Sequence, residues 1–283
     1  MKTEYCVLIV SLLLGAAQCL KVMQDDENYT NVSRKYYTSG VDLGIINPDK
    51  YSFESFLRDE RSAFQDLYQE YASQNGTANY SEWLIMNNFG ILPDTQESLF
   101  ERKISKRSVA DNKRKFVNTV RRGDILISGR GIGGLLGHAA IMTTDYYVLE
   151  MRGGKGWLNG IKDNNRQVSK HAWFDEHQHD WTTVYRVPNS RIVALAARWA
   201  DHTYYNPSGG AKKTKHITYR IDTHVWRTDP SYCSKLVVQA YYYGTGKANV
   251  IYRGMMRAAR VIAPTQIPSY FMPDYKLKNM GRY

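Results

Sequence analysis

Only three cysteines occur in 283 residues, which is too few for a disulfide-stapled scaffold. Past the N-terminus no apolar run is long enough to cross a bilayer as a helix, and neither an internal repeat nor a low-complexity tract is present. The 22 tyrosines and the net charge of +11 could suggest nucleic acid. No RNP-like, zinc-finger or helix-turn-helix pattern accompanies them, so that class is set aside. At 43% hydrophobic residues the chain is too apolar to be disordered throughout.

The chain begins with a leader. Lys2 precedes an unbroken apolar stretch from Cys6 to Ala17, too short to span a bilayer but suited to the core of a secretory signal peptide over residues 1–19. A cut there leaves Cys233 as the cysteine to explain. The charge is split as well: residues 1–107 carry 11 Lys and Arg against 15 Asp and Glu, and residues 108–283 carry 27 against 12. An acidic front and a basic back imply two parts with different duties.

The front part, 20–107, carries four N-glycosylation sequons, at Asn28, Asn31, Asn75 and Asn79. Phe53, Phe56, Leu57, Ala63, Phe64, Leu67 and Tyr71 recur at helical spacing, predicting a helix over about 52–73, with a second near Glu82 to Asn88. The part ends in the basic run Arg102 to Arg107, whose last pair suits a processing protease. Two readings stand: an inhibitory propeptide removed from a zymogen, or a helical extension that packs permanently.

Residues 108–283 make one domain by length. Ile125-Leu126-Ile127 reads as a strand, followed by a glycine-rich loop from Gly129 to Gly137. His138 to Met142 and Tyr146 to Met151 then form a hairpin about Thr143-Thr144-Asp145, and Thr182 to Val187 reads as a fourth strand. A helix with Ile192, Leu195, Ala196 and Trp199 on one face is capped by Asn189 or Ser190. Residues 206–216 are a loop of Gly, Lys and Pro, and a second helix comes after Asp229-Pro230-Ser231 and stops at Gly244.

Gly129, Gly131 and Gly134 spell GxGxxG after a strand. The next element is a hairpin with no helix N-terminus to hold a pyrophosphate, so a dinucleotide site is discarded. His171, His177 and His179 sit in a polar stretch without HExxH spacing or a cysteine partner, so no metal is assigned. The constellation with chemistry is Cys233 and His138. Cys233 sits just inside a helix start, where free N–H groups and the helix dipole favour the thiolate and could hold an oxyanion. His138 opens the hairpin and would serve as base. With the turn centred on Thr144, Glu150 lies opposite His138 on the same face and could orient the imidazole. The bland alternative is a small buried cysteine and a strand histidine bonded to a carbonyl. His202, His216 and His224 are the other candidate bases.

GDILIS at 123–128, GHAAIM at 137–142, YYVLEM at 146–151, VYRV at 184–187 and YCSKLVVQAYY at 232–242 resemble the permuted NlpC-type papain-fold cysteine hydrolases. These are the YiiX-like and YycO-like branch, with the lecithin:retinol acyltransferases as relatives. The resemblance covers about residues 120–270. It implies Cys233 as nucleophile, His138 as base, Glu150 as third polar residue and a structural Asp124. Lys235 departs from it, standing where the family more often has an acidic residue, and the 206–216 loop is unfamiliar in it.

The expectation is therefore an α+β domain, a circularly permuted papain-like fold with an antiparallel sheet packed on helices, preceded by a small helical segment. Its expected activity is that of a secreted cysteine peptidase or amidase working through an acyl-enzyme. A lipid acyltransferase or thioesterase with the same Cys–His pair is the alternative, and a non-catalytic binding module the third reading. Tyr232 and Ser234, beside the nucleophile, are candidate substrate contacts. No cofactor is expected. The expected partner is a peptide or cell-wall-type substrate, preferably anionic, with no nucleic acid and no stable membrane anchor; the front segment is a candidate intramolecular inhibitor.

Overall fold

The computed structural model describes residues 24–73, 76–101, 108–129, 134–246, 248–257 and 259–283. The signal-peptide stretch, Asn75 and the dibasic site at Arg107 lie outside these residues. The chain divides into two compact units, Met1–Arg58 and Asp59–Tyr283.

In the first unit, helix α1 (24–42) ends at Gly44, whose φ of +68° is the left-handed conformation of a helix stop. Tyr37 lies edge-on to Phe53 at 5.6 Å and donates its hydroxyl to the Tyr51 carbonyl. Arg34 sits 3.9 Å above the Phe53 ring. Helix α2 (Phe53–Asp59) runs to the end of this unit, its last residue being the first of the second.

The second unit begins with a π-helical turn (Glu60–Phe64), continues in α3 (Gln65–Ser73) and α4 (Tyr80–Met86), and then runs through the basic part of the chain. The helical periodicity read from Phe53 to Tyr71 is thus real, with the π turn as its irregularity. Asn79 and Glu82 close a reciprocal capping box at the start of α4. Beyond α4, the Trp83 indole donates to the Gly134 carbonyl at 2.7 Å, and the Asn87 side chain accepts from Leu136 N–H at 2.8 Å. Residues 83–87 therefore hold the chain leading to His138.

The core is a six-stranded antiparallel sheet, order β4-β3-β2-β1-β5-β6, built from β1 (Ile125–Ser128), β2 (His138–Met142), β3 (Tyr147–Met151), β4 (Asn165–Ser169), β5 (Thr182–Arg186) and β6 (Lys278–Arg282). Its class is α+β, as expected. Strand residues alternate between two apolar layers, which is why β1 and β2 read as unbroken apolar runs. Ile125, Ile127, Ala139, Ile141 and Leu149 face α7 (Ser190–Tyr204) and α8 (Cys233–Gly244). Leu126, Ala140, Met142 and Val148 face Phe116 of α5 (Val109–Thr119) and Trp173 and Phe174 of α6 (Lys170–His177).

Helix α7 is capped by Asn189, whose side-chain oxygen accepts from Ile192 N–H. Its buried stripe is Ile192, Ala196, Ala197, Ala200 and Tyr204, while Leu195, assigned to that face from spacing, is exposed. The hairpin register differs from the reading centred on Thr144. Ala140 stands opposite Glu150, so His138 is diagonal to Glu150 on the same face.

Asp124 is fully buried and takes a two-pronged bond from Arg186, 2.6 Å to each oxygen, plus the Arg121 N–H. Burial pushes its pKa up even against Arg186, so its place is structural. Asp124→Asn removes the charge and one acceptor from this cluster. It is expected to lower unfolding free energy by about 1.5–3 kcal/mol, measured as a shift in the urea midpoint.

Candidate active site

Cys233 is the first residue of α8. Tyr232 before it is extended (φ −148°, ψ 171°) and supplies no side-chain cap, so the N–H groups of the first turn keep no capping partner from that residue. The thiol lies in the core, 1% exposed. Helix start and strand are pinned around it. The Tyr232 hydroxyl accepts from Ile262 N–H at 2.9 Å, and the Ser234 hydroxyl donates to the Ile262 carbonyl at 2.5 Å. Both side chains, read from sequence as substrate contacts, thus have their hydroxyls committed to the backbone at Ile262. Lys235, the residue that departs from the expected pattern, is buried, with its amine 3.3 Å from Asp222 and 2.8 Å from the Pro230 carbonyl. It ties the loop before α8 to the first helical turn.

His138 opens β2 after Gly137, where φ is +90° and an added Cβ would come within 2.7 Å of the Leu99 side chain. Its ring stacks near Trp173, centroids 5.6 Å apart. Nε2 is 2.6 Å from Glu150 Oε2. An ionised carboxylate only accepts, so Nε2 carries the proton, and Nδ1 of the neutral ring is left as an acceptor. Nδ1 is buried without a hydrogen-bond partner, and besides Glu150 the group that raises the pKa of the ring is Cys233.

The electrostatics are mutually reinforcing. Burial works against a charged imidazole, but the Cys233 thiolate and the Glu150 carboxylate outweigh it and hold His138 up at about 9. Burial likewise opposes a Cys233 thiolate, yet His138, with the Ala139 N–H and Ser234, brings the thiol below its usual value. Glu150, 1% exposed, is held down to about 2 against the cost of burial by His138, Arg166 and His177. The favoured state is a thiolate–imidazolium pair on a carboxylate.

Three participants escape the sequence reading. Arg166 on β4 donates Nε to Glu150 Oε1 at 2.7 Å and Nη2 to Glu176 at 2.5 Å, fixing the second carboxylate oxygen. Strand β4 is short and polar, with no alternation to betray it. His177 of α6 stacks on Trp173 at 4.1 Å and lies parallel to His138, centroids 5.9 Å apart; its polar neighbours in sequence suggest a solvated loop instead. Tyr219 is buried with its hydroxyl beside the Cys233 thiol and no closed hydrogen bond. It comes from the long loop between α7 and α8, held by bridges to Ile161 and Ser231, where no spacing rule applies. The other histidines considered as bases do not meet the thiol. His216 bonds Asp163 at 2.8 Å, and His224 packs edge-on to Trp226 near Asp222.

This buried Cys–His–Glu geometry occupies the part of the chain that matches a known family, described as "Lipoprotein N-acylation protein LnsA-like", over residues 84–283. The chain belongs to that family. It is also similar to an uncharacterized 30.3 kDa protein of Bacillus thuringiensis, 31% identical over 247 residues that cover 85% of each chain. No solved structure matches. The LnsA-like match includes Cys233, His138, Glu150, Arg166 and Tyr219, and it begins at Leu84, within α4. Of the two enzyme readings taken from the sequence, an acylation family favours the acyltransferase alternative over the amide hydrolase named first.

Proposed function

We propose that this LnsA-like protein is a cysteine acyltransferase that moves an acyl group from an oxygen ester to an amine. The Cys233 thiolate adds to the ester carbonyl, and His138, the imidazolium of the pair, protonates the departing alkoxide. A thioester on Cys233 remains. The amine then attacks this thioester; neutral His138 takes the proton of the attacking nitrogen, and the thiolate leaves. Glu150 holds the imidazole throughout, and the helix N–H groups stabilise the oxyanion in both steps. The placement of the cysteine at a helix start and the histidine on a strand supports kinship with papain-type enzymes, within which peptide amide hydrolysis is the competing use.

The observation that carries the choice is burial. Cys233 and His138 are each 1% exposed, and a thioester shielded from water survives to meet an amine. The family's description, lipoprotein N-acylation, supports an amine at a protein N-terminus as acceptor.

The test is to incubate the full chain with a phospholipid bearing a labelled acyl ester and no acceptor, then to examine the protein by mass spectrometry. The expected product is one acyl adduct on Cys233, cleaved by neutral hydroxylamine, absent in Cys233→Ala and discharged onto a peptide with a free N-terminal amine. Cleavage of peptide amides without any adduct from the lipid would overturn the acyltransferase reading.

A further inference from the structure

At the end of α8 away from Cys233, roughly 16 Å along the helix, the surface changes character. Helix α7 presents Arg191, Leu195 and Arg198 on one exposed side, and with the half-buried His202 and with Arg122 they border an open cavity of about 410 Å³. None of the three guanidinium groups pairs with a carboxylate among the described residues. The acid at the cavity edge, Asp201, is bonded to the Gln167 amide at 2.5 Å, and Asp145 beside Arg122 accepts its backbone N–H.

An aromatic strip adjoins this groove. Trp199 stacks on Tyr243 at 5.6 Å, and Tyr243 borders a second concave site with Arg253 and Arg257. Leu195, Tyr243 and Tyr252 are 37%, 38% and 42% exposed. Apolar and aromatic side chains between rows of arginine suit the boundary where a wet, charged layer meets hydrocarbon.

We infer that this face of α7 and α8 docks the protein on a bilayer containing anionic phospholipid. Arg191 and Arg198 are two helical turns apart, roughly 10 Å along the axis, so with Arg122 they spread positive charge over an area suited to several headgroups. Charge agrees in sign, since residues 108–283 carry 27 Lys and Arg against 12 Asp and Glu. No helix among the described residues is long and apolar enough to cross a membrane. The inference stands apart from the reaction at Cys233, because the face does not include the thiol.

The experiment is flotation of the full chain with vesicles of pure phosphatidylcholine and with vesicles in which a third of the lipid is phosphatidylglycerol, at low and high salt. Binding is expected only with phosphatidylglycerol and is expected to weaken with salt. The double variant Arg191→Ala/Arg198→Ala should bind about 25-fold more weakly, at the usual contribution of a basic residue near an anionic surface. Tyr243→Ser should weaken binding at unchanged salt dependence. Thermal melting checks that each variant folds. If the double variant does not fold, Tyr243→Ser and the lipid and salt dependence of the native chain decide. Equal binding to both vesicle types, undiminished binding by a folded double variant, or binding of glycerol phosphate without binding to vesicles would each overturn the inference.

Discussion

Replacing His138 by Ala is expected to slow acylation of Cys233 by about two to four orders of magnitude, the usual worth of a positioned acid–base group. The loss has two parts. Without the imidazole the thiol keeps the burial that pushes its pKa up and loses the partner that brings it down, so the thiolate fraction at neutral pH collapses. The ester oxygen also departs without a proton donor. Alkylation by iodoacetamide separates the two, since it needs the thiolate but no general acid. In the native chain the alkylation rate should rise with pH through a midpoint below that of an ordinary thiol, and in His138→Ala that midpoint should move above it. A thiol with the same profile in both proteins would remove His138 from the reaction. Because Cys233 is buried, the midpoint is the informative quantity, and the absolute rate reports access.

Much of this site is legible in the sequence because it rests on short-range rules. A helix start is written locally by Asp229-Pro230-Ser231 and the apolar stripe of α8, and two strands about a turn put His138 and Glu150 on one face. The diagonal pairing of these two residues shows the tolerance of that argument: the register differs by two residues, and the period of two keeps both side chains on the same side. The parts that sequence does not disclose are held by distant contacts. Arg166 reaches Glu150 from a strand with little apolar pattern, and Tyr219 arrives through a loop fixed by isolated bridges. The exposed Leu195 shows the same limit in a helix. Spacing names a face, but the width of the buried stripe depends on how closely α8 approaches, and it approaches at Gly244 against Trp199 and Ala196.

Glu150→Ala is expected to cost about 3–5 kcal/mol of unfolding free energy, the usual consequence of removing one partner from a buried charged pair. His138 would lose the acceptor at Nε2, and Arg166 would keep only Glu176. The pH dependence gives the prediction its sign. Glu150 is lowered to about 2 from 4.5, so its contribution is complete above the unfolded value and is lost as pH falls from about 4.5 towards 2. His138 is raised to about 9 from 6.5, so its contribution is complete below about 6.5 and is lost as pH rises through about 9. The His138–Glu150 pair contributes to both shifts, with Cys233 adding to that of His138 and Arg166 and His177 to that of Glu150, and together they predict a stability plateau between about pH 4.5 and 6.5 that falls on both sides. Urea denaturation of the native chain and of Glu150→Ala should therefore differ most at about pH 5.5 and converge towards both extremes. A constant difference across the whole range would mean that Glu150 acts by filling space, and the ion pair with His138 would then have no part in holding the site together.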